Sequence, residues 1–291
     1  MSKQDFVYRG IRPDRKPSRP WASWHNHTGG HPRFSFCPTP GLSIARYRAA
    51  FEREPEAWAS FAITDHAFSI AIPDPSRSWP HAWYDERATL EGFAASGETA
   101  RRIEAYLEFG RGFRDGARFF LGMEIEADRA GRLAVPESAL GAMDIVIASI
   151  HHNPGEPEKW VERHFNQIDR MIGLPADIIG HPLRHLRAHS TPEKPLAAEL
   201  IDETLDRLHR AGMGIEINAH YPQLQDDVAL LRGAAARGMV MAFSLDLHYP
   251  EEFGNWRYFE DVVELAGVGD GDIRFFTPER GGGKAAGRAT A

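Results

Sequence analysis

The sequence predicts an α/β fold in which one domain wraps parallel strands into a barrel. Short apolar runs alternate along the chain with segments of helical periodicity. The runs are apolar almost throughout, which is typical of parallel strands that are covered by helices. The length of 291 residues suits one large barrel domain. We therefore expect a distorted (β/α)7 TIM-like barrel.

A doubly wound open sheet is the alternative architecture for the same alternation of strands and helices. No G-x-G-x-x-G motif follows the first apolar run, which weakens the dinucleotide-binding form of that fold.

Seven apolar runs have the length and the bounding turn residues of buried strands. They span residues 21–27, 60–66, 117–127, 143–152, 176–182, 212–220 and 238–248. Most of the segments between them place apolar residues at helical spacing. The clearest predicted helices span residues 43–54, 86–113, 158–173, 196–212 and 224–238.

The two ends of the chain differ in composition from the region between them. Residues 1–20 contain six basic residues and three prolines without an apolar period, which predicts an extended N-terminal arm. Residues 278–291 are polar and rich in Gly and Ala, which predicts a disordered tail. The barrel domain is expected to span residues 21–277.

The composition excludes several classes of protein. A single cysteine, Cys37, excludes a disulfide framework, a cysteine-rich zinc module and an iron–sulfur cluster. The formal net charge of −7 disfavours a long nucleic acid as the partner. No apolar run reaches the roughly 18 residues of a membrane span, and the polar N-terminus lacks a signal core. We therefore expect a cytoplasmic protein that does not contact a membrane.

Polar residues stand where the apolar runs end. They are His25, His27, Asp65, His66, Glu124, Glu126, His151, His152, His181, His220, Asp246 and His248. The carboxyl ends of parallel barrel strands meet at one face, which carries the active site. Neutral imidazole and carboxylate groups together are ligands for zinc, manganese or iron. The pattern predicts a metal site at that face, and the 14 histidines of the chain supply most of its ligands.

Short motifs within this set resemble those of the PHP family, named for polymerase and histidinol phosphatase domains. They are H-x-H-T at 25–28, T-D-H at 64–66, G-x-E at 122–124, G-H-P at 180–182 and D-x-H at 246–248. A histidine that ends a middle strand, His151 or His152, also fits the family pattern. The motifs occur in the family's order and span most of the chain.

The resemblance implies a distorted barrel with two or three divalent metal ions (zinc, manganese or iron). The implied ligands are His25, His27, His31, His66, Glu124, His151, His181, Asp246 and His248. His31 would complete a three-metal site. Because adjacent strand residues face opposite sides, only one of His151 and His152 can face the metals. We choose His151 as the ligand and His152 as a substrate contact.

The expected chemistry is hydrolysis of a small phosphate monoester by a hydroxide that bridges two metal ions. Glu124 is the expected bridging carboxylate, and Arg184 and Arg187 are expected to bind phosphate oxygens. Asp65, His152 and His220 are the candidates for donating the proton to the leaving group. The 67–85 stretch could cover the substrate.

Three other functions remain open from the sequence. They are a phosphodiesterase acting on nucleotides or oligonucleotides, an amidohydrolase, and a metal-stabilised binding domain without catalysis. The oligomeric state is equally open.

Overall fold

Eight parallel strands form the centre of the computed structural model, which describes residues 7–8, 10–12, 14–29, 41–72, 84 and 96–278. Each strand pairs with the next one along the chain, in the order β1 to β8. The strands are β1 (Trp21–Ser23), β2 (Trp58–Ile63), β3 (Phe119–Ile125), β4 (Ile145–Ala148), β5 (Ile178–Ile179), β6 (Gly214–Asn218), β7 (Val240–Ser244) and β8 (Arg274–Phe275).

Helices connect most of these strands, as parallel pairing requires. In the described residues they are α1 (Ile44–Arg53), α2 (Ala67–Ala71), α3 (Gly97–Arg111), α4 (Glu137–Leu140), α5 (Trp160–Ile172), α6 (Ala198–Arg210), α7 (Leu224–Ala236) and α8 (Trp256–Ala266). Short 3-10 helices span Pro157–Lys159, Arg184–His189, Pro250–Asn255 and Asp270–Asp272. None of the described helices is long and apolar enough to cross a membrane.

The sheet curls until the end of β7 reaches the segment that follows β1. The Trp24 amide donates to the Phe243 carbonyl at 3.2 Å, and the Asp246 amide donates to the His25 carbonyl at 2.8 Å. The start of β7 pairs instead with β8. This sequential order confirms the distorted TIM-like barrel and differs from a doubly wound sheet, whose strand order reverses at a switch point.

Two apolar clusters hold the barrel together. The larger one packs the helices against the outside of the sheet. The smaller one is formed by Trp24, Ala62, Phe120, Ile145, Ile147, Ile178 and Ala242. Alternate residues of a strand share one face, so Phe120 of this cluster and Glu124 lie on the same side of β3. The apolar cluster therefore supports a layer of polar residues nearer the carboxyl ends of the strands.

The elements differ from the predicted ones mainly at their ends. Several predicted strands extend too far, because most of the polar residues that follow the apolar runs lie in loops just beyond the strands. The helix predicted over 86–113 is described as α3 from residue 97, and 86–95 lie outside the described residues. The short helices α2 and α4, the longer α8 and the two-residue β8 were not expected from the sequence.

The predicted arm contacts α8 where the structure describes it. Tyr8 donates from its hydroxyl to Oδ2 of Asp261 at 2.9 Å, and Ser18 donates from its amide to Oε1 of Glu260 at 2.8 Å. The domain boundaries themselves stay predictions. In the predicted tail, residues 279–291 lie outside the described residues.

Candidate metal centre

Glu124 lies at the middle of the polar residues that the barrel brings together. Its Oε2 atom lies 3.2 Å from Nε2 of His25 and 2.5 Å from Nδ1 of His66. Its Oε1 atom lies 3.3 Å from Nε2 of His151 and 3.3 Å from Nε2 of His181. The two oxygens of one buried carboxylate therefore face two different pairs of histidines.

Asp246 is a second focus of the same cluster. Its Oδ1 atom lies 3.0 Å from Nε2 of His27, 3.8 Å from Nε2 of His25 and 3.4 Å from Nδ1 of His248. Nε2 of His27 also lies 3.7 Å from Oε2 of Glu124. The H-x-H pair that follows β1 is thus held between two carboxylates.

Several buried atoms of this cluster lack a well-oriented hydrogen bond within the described part of the chain, even where a nitrogen or oxygen atom lies close by. They are Nε2 of His25, Nδ1 of His27, Nδ1 of His181 and Oε2 of Glu124. Buried polar atoms without partners are costly and therefore rare in native proteins.

The donor atoms also lie close enough together to share cations. Among the residues that the structure describes, four groups of three place their ligand atoms within 4.8 Å of one another. The groups are His27, His66 and His248; His25, Glu124 and His181; His25, His27 and Asp246; and His66, Glu124 and His151. Because imidazole and carboxylate donors suit zinc, manganese and iron, the residues present fit divalent cations.

The charges in the cluster keep its carboxylates and His27 in the protonation states that bind metal. Burial opposes ionisation of Glu124, but His25 and His151 hold the pKa of this carboxyl well below its ordinary value. Burial also opposes ionisation of Asp246, but His25, His248 and His27 together hold the pKa of this carboxyl well below its ordinary value. Burial lowers the pKa of His27 to about 4, which keeps its imidazole neutral. Burial lowers the pKa of His25 and of His151, but nearby carboxylates, Glu124 foremost, raise the first well above its ordinary value and the second to about 9, so that a cation must displace protons from these two rings.

Glu216 on β6 orients two members of the predicted ligand set. Its Oε1 atom lies 3.0 Å from Nδ1 of His25, and its Oε2 atom accepts from the His181 amide at 2.6 Å and from Nδ2 of Asn218 at 3.0 Å. A carboxylate on one ring nitrogen fixes the tautomer, so that the other nitrogen can face a metal. Sequence reasoning missed Glu216.

Glu126 supports His151 in the same way. Its Oε2 atom lies 2.8 Å from Nδ1 of His151, and its Oε1 atom accepts from the His151 amide at 3.0 Å and the His152 amide at 3.1 Å. The Glu126 carboxylate therefore fixes both the backbone and the ring of His151, rather than joining Glu124 at the centre.

The backbone of the centre is unusual at two residues. His181 has φ 29° and Asp246 has φ 50°, and residues other than glycine rarely adopt such values. Each costs about 1–3 kcal/mol and persists only where neighbours enforce it. The hydrogen bonds from the His181 amide to Glu216 and from the Asp246 amide to the His25 carbonyl provide that support.

The glycines of the G-x-E and G-H-P motifs stand where a larger residue would not fit. A Cβ at Gly122 would lie 2.5 Å from the backbone oxygen of Ile145, and a Cβ at Gly180 would lie 2.4 Å from Oγ of Ser149. Both distances are too short for real contacts. Glycine at these positions lets neighbouring strands approach closely beside Glu124 and His181.

The structure brings together all but one of the predicted ligands. These are His25, His27, His66, Glu124, His151, His181, Asp246 and His248. His31 lies outside the described residues. His151 faces Glu124, whereas the ring of His152 contacts Tyr84, with 5.2 Å between ring centroids. The ligand roles remain predictions, and these positions favour His151 over His152 as the metal ligand.

The other two predicted proton donors occupy different surroundings. Asp65 accepts from the Thr28 amide at 2.7 Å and from the Thr28 hydroxyl at 2.6 Å, and burial raises the pKa of Asp65 to about 7. His220 hydrogen-bonds through Nδ1 to the buried Glu252, and its ring stacks on His248 with 4.4 Å between centroids. Asp65 thus fixes the H-x-H-T turn, and His220 adjoins the metal centre.

One of the two predicted phosphate-binding arginines can be placed. Nη1 of Arg184 lies 3.3 Å from Nε2 of His181 and 3.6 Å from Oδ2 of Asp246. Its guanidinium carbon lies 4.1 Å from the centre of the Tyr221 ring. The side chain of Arg187 lies outside the described residues.

His164 and His185 form a separate pair outside the centre. The Thr204 hydroxyl donates to the Leu200 carbonyl at 2.8 Å, so it accepts from Nε2 of His164 at 2.7 Å. Nδ1 of His164 is then free to accept from Nε2 of His185 at 3.1 Å. Burial lowers the pKa of His164 to about 4 and that of His185 to about 3. Both histidines are therefore neutral, and their contact packs helix α5, which carries His164, against the 3-10 helix that carries His185.

The barrel and its histidine–carboxylate centre define a protein of the PHP domain family. Residues 54–220 match the model of that family, and the chain belongs to it.

Two curated relatives carry the comparison further. Over 162 residues the chain is 29% identical to a probable phosphatase of Thermoanaerobacter sp. (strain X514), covering 53% of this chain and 62% of the relative. Over 132 residues it is 26% identical to the DNA polymerase/3'-5' exonuclease PolX of Bacillus subtilis (strain 168), covering 45% of this chain and 22% of the relative. In both cases the match spans less than two thirds of the relative's own length.

A solved structure has a similar fold. It is the histidinol phosphate phosphatase of Lactococcus lactis subsp. lactis Il1403, complexed with zinc, L-histidinol and phosphate. The TM-score is 0.56 at 15% sequence identity, and the similarity covers 87% of this chain and 95% of the other.

Proposed function

We propose that this protein is a metal-dependent phosphoesterase that hydrolyses a small phosphate monoester. The observation that carries the proposal is the position of Glu124, whose two oxygens face separate pairs of histidines. A carboxylate with two such faces suits a bridge between two cations.

The proposed ligands are those that the sequence implied, with His31 reserved for a third ion. When bound, divalent cations supply Lewis acidity, which makes water more acidic and neutralises the charge of a phosphate group. Two or three ions of zinc, manganese or iron are proposed, and elemental analysis of the purified protein would give their identity and number.

Arg184 is proposed to hold the phosphate group in place. Its position beside His181 and Asp246 directs a guanidinium towards the space that the cation ligands surround. A guanidinium matches phosphate oxygens through paired hydrogen bonds, and the Tyr221 ring under it restricts its orientation.

His220 is proposed to hold the proton that the leaving group needs. Its Nδ1 atom hydrogen-bonds with Glu252, so Nε2 is the atom that would carry this proton. Burial lowers the pKa of His220 well below its ordinary value, so the proton would be held on a neutral ring. Asp65 is a weaker candidate, because both of its oxygens accept hydrogen bonds from Thr28.

A small monoester is favoured over a polymer for two reasons. The net charge of −7 opposes a long phosphate backbone, and the similar proteins include probable phosphatases and a histidinol phosphate phosphatase. The exonuclease relative makes a phosphodiesterase the alternative to be tested.

The test measures hydrolysis of p-nitrophenyl phosphate and bis(p-nitrophenyl) phosphate after chelation and reloading with Zn²⁺, Mn²⁺ or Fe²⁺. We expect the reloaded protein to hydrolyse the monoester and Glu124→Gln to reduce the rate to that of the metal-stripped protein. Glu199→Gln removes an exposed carboxylate of α6 and is the matched control. Activity on the diester alone would favour the phosphodiesterase, and failure on both esters despite bound metal would refute the proposal.

A further inference from the structure

A concave site lined by arginine and amide side chains includes residues of the loop that follows His151 and His152. Its described lining includes Tyr84, Arg129, Asn153, Arg163, Gln167 and Arg170, and its volume is about 260 Å³. No carboxylate belongs to the described part of this lining. We call the site the arginine pocket.

Arg163 of α5 reaches the arginine pocket with unused hydrogen-bonding capacity. Its Nη1 atom donates to the carbonyl oxygens of Gly155 and Glu156, both at 3.2 Å. Its Nε atom is buried and makes no hydrogen bond with any described residue. Gly155 has φ +131°, and a Cβ there would lie 3.1 Å from Cδ of Arg163, so the loop is shaped around this side chain.

Arg170 lies two turns further along α5. It donates from Nη1 to the Tyr84 hydroxyl and, at 3.2 Å, to Oε1 of Gln167. Within the ranges that the structure describes, neither Arg163 nor Arg170 forms an ion pair with a carboxylate. Both guanidinium groups therefore bind only neutral partners there.

Two other partly buried arginines of this chain are neutralised by carboxylates. Arg132 pairs with Asp128 at 2.5 Å, and Arg207 pairs with Asp169 at 2.6 Å and with Glu203 at 2.7 Å. Partial burial of a charge is unfavourable unless the charge is compensated. Two guanidinium groups that have no carboxylate partner among the described residues thus favour an anion in this cavity, and guanidinium geometry matches phosphate or carboxylate.

A short segment joins the arginine pocket to the metal centre. His151 faces Glu124, the His152 carbonyl accepts from Nε2 of Gln167 at 3.1 Å, and the His152 ring contacts Tyr84. Four residues of extended chain span at most about 14 Å, so Gly155 lies within that distance of His151. A separation of this size is within the length of one small molecule with two anionic ends.

We propose that the arginine pocket binds a second anionic group of the substrate. The substrate class is then a phosphate monoester whose other end carries a phosphate or a carboxylate. This inference rests on the proposed phosphatase function and narrows its substrate.

The test compares alkyl monophosphates with alkanediol bisphosphates and phosphooxyalkanoates over a series of chain lengths. We expect kcat/KM to be at least about tenfold higher for a two-anion ester of suitable length than for its matched monophosphate. The bisphosphates and the phosphooxyalkanoates distinguish phosphate from carboxylate as the second group.

The same ratio of kcat/KM values is then measured in variants, so that the monophosphate rate of each variant is its own reference. Arg163→Gln and Arg170→Gln should bring the ratio close to one, and Arg163→Lys should retain part of it. Arg210→Gln removes an exposed charge of α6 and should leave the ratio unchanged.

Two results would overturn the inference, and they are distinguishable. If p-nitrophenyl phosphate is hydrolysed but no two-anion ester of any length is preferred, or the preference survives in both glutamine variants, the arginine pocket has no such role. If no ester releases phosphate, the proposed function fails and this inference fails with it.

Discussion

Replacement of Glu216 by glutamine should weaken metal binding although every proposed ligand remains. Glu216 accepts three hydrogen bonds, from the ring of His25, the His181 amide and the Asn218 side chain. A glutamine has one acceptor oxygen and one donor NH₂ group. Whichever way it turns, its NH₂ group must face at least one donor.

The two orientations have different costs. With NH₂ towards His25, the ring must move its proton to Nε2, the atom that faces Glu124. With NH₂ towards His181, two donors lose their acceptor, which costs about 1–3 kcal/mol for each group left unsatisfied. Loss of a carboxylate behind a metal ligand commonly costs about 10–100-fold in affinity. We expect the cation dissociation constant to rise by that factor.

Competition with a fluorescent chelator measures this constant for Zn²⁺ and Mn²⁺. Glu199→Gln makes the same chemical change on the surface of α6 and should bind like the wild-type protein. If Glu216→Gln binds both cations with wild-type affinity, the proposed orientation of His25 by Glu216 is wrong.

Three further predictions concern packing, pH and phosphate binding. Gly122→Ala should lower the free energy of unfolding by about 1–3 kcal/mol, because its Cβ would meet a backbone oxygen of the next strand. In the same thermal unfolding measurement, Gly141→Ala should change this free energy by less than about 1 kcal/mol, because its Cβ would make only an ordinary contact, 3.8 Å from the Ser138 carbonyl oxygen. His164, with its pKa lowered to about 4, is neutral in the fold, so the unfolded chain binds the extra proton and stability falls between about pH 6.5 and pH 4. His164→Gln should reduce the slope of the unfolding free energy against pH by up to about 1.4 kcal/mol per pH unit, measured by denaturation at a series of pH values with a chelator present. An equal slope in the variant and the wild-type protein would contradict the neutral state of His164. Arg184→Gln should lower kcat/KM for p-nitrophenyl phosphate by about 10–100-fold, and unchanged kinetics would remove Arg184 from phosphate binding.

The sequence was sufficient to predict the barrel and most of the cluster because both depend on local patterns. Strand-end residues such as His66 and His181 stand directly after apolar runs, and parallel strands must bring those ends together. The two-residue strand β8 carries too few residues to form a recognisable pattern.

The supporting carboxylates were harder to recognise than the ligands. Glu216 lies inside strand β6, and a single polar residue among apolar neighbours does not by itself indicate a functional site. The signal was nonetheless present, because Glu216, Asn218 and His220 alternate with apolar residues and share one face of β6 and its extension. The partner of His220, Glu252, comes from a 3-10 helix after β7, and no periodicity links residues so far apart.

The candidate metal centre can form only after the two ends of the barrel sheet have met, because it takes residues from both ends of the chain. His27 and Asp246 are 219 residues apart in sequence, and uniting such distant points costs about 5 kcal/mol of chain entropy. A nascent chain that has not passed His248 lacks at least one of the proposed cation ligands, however well its earlier strands have folded. We therefore expect metal content to distinguish chains that extend past His248 from chains that end before it.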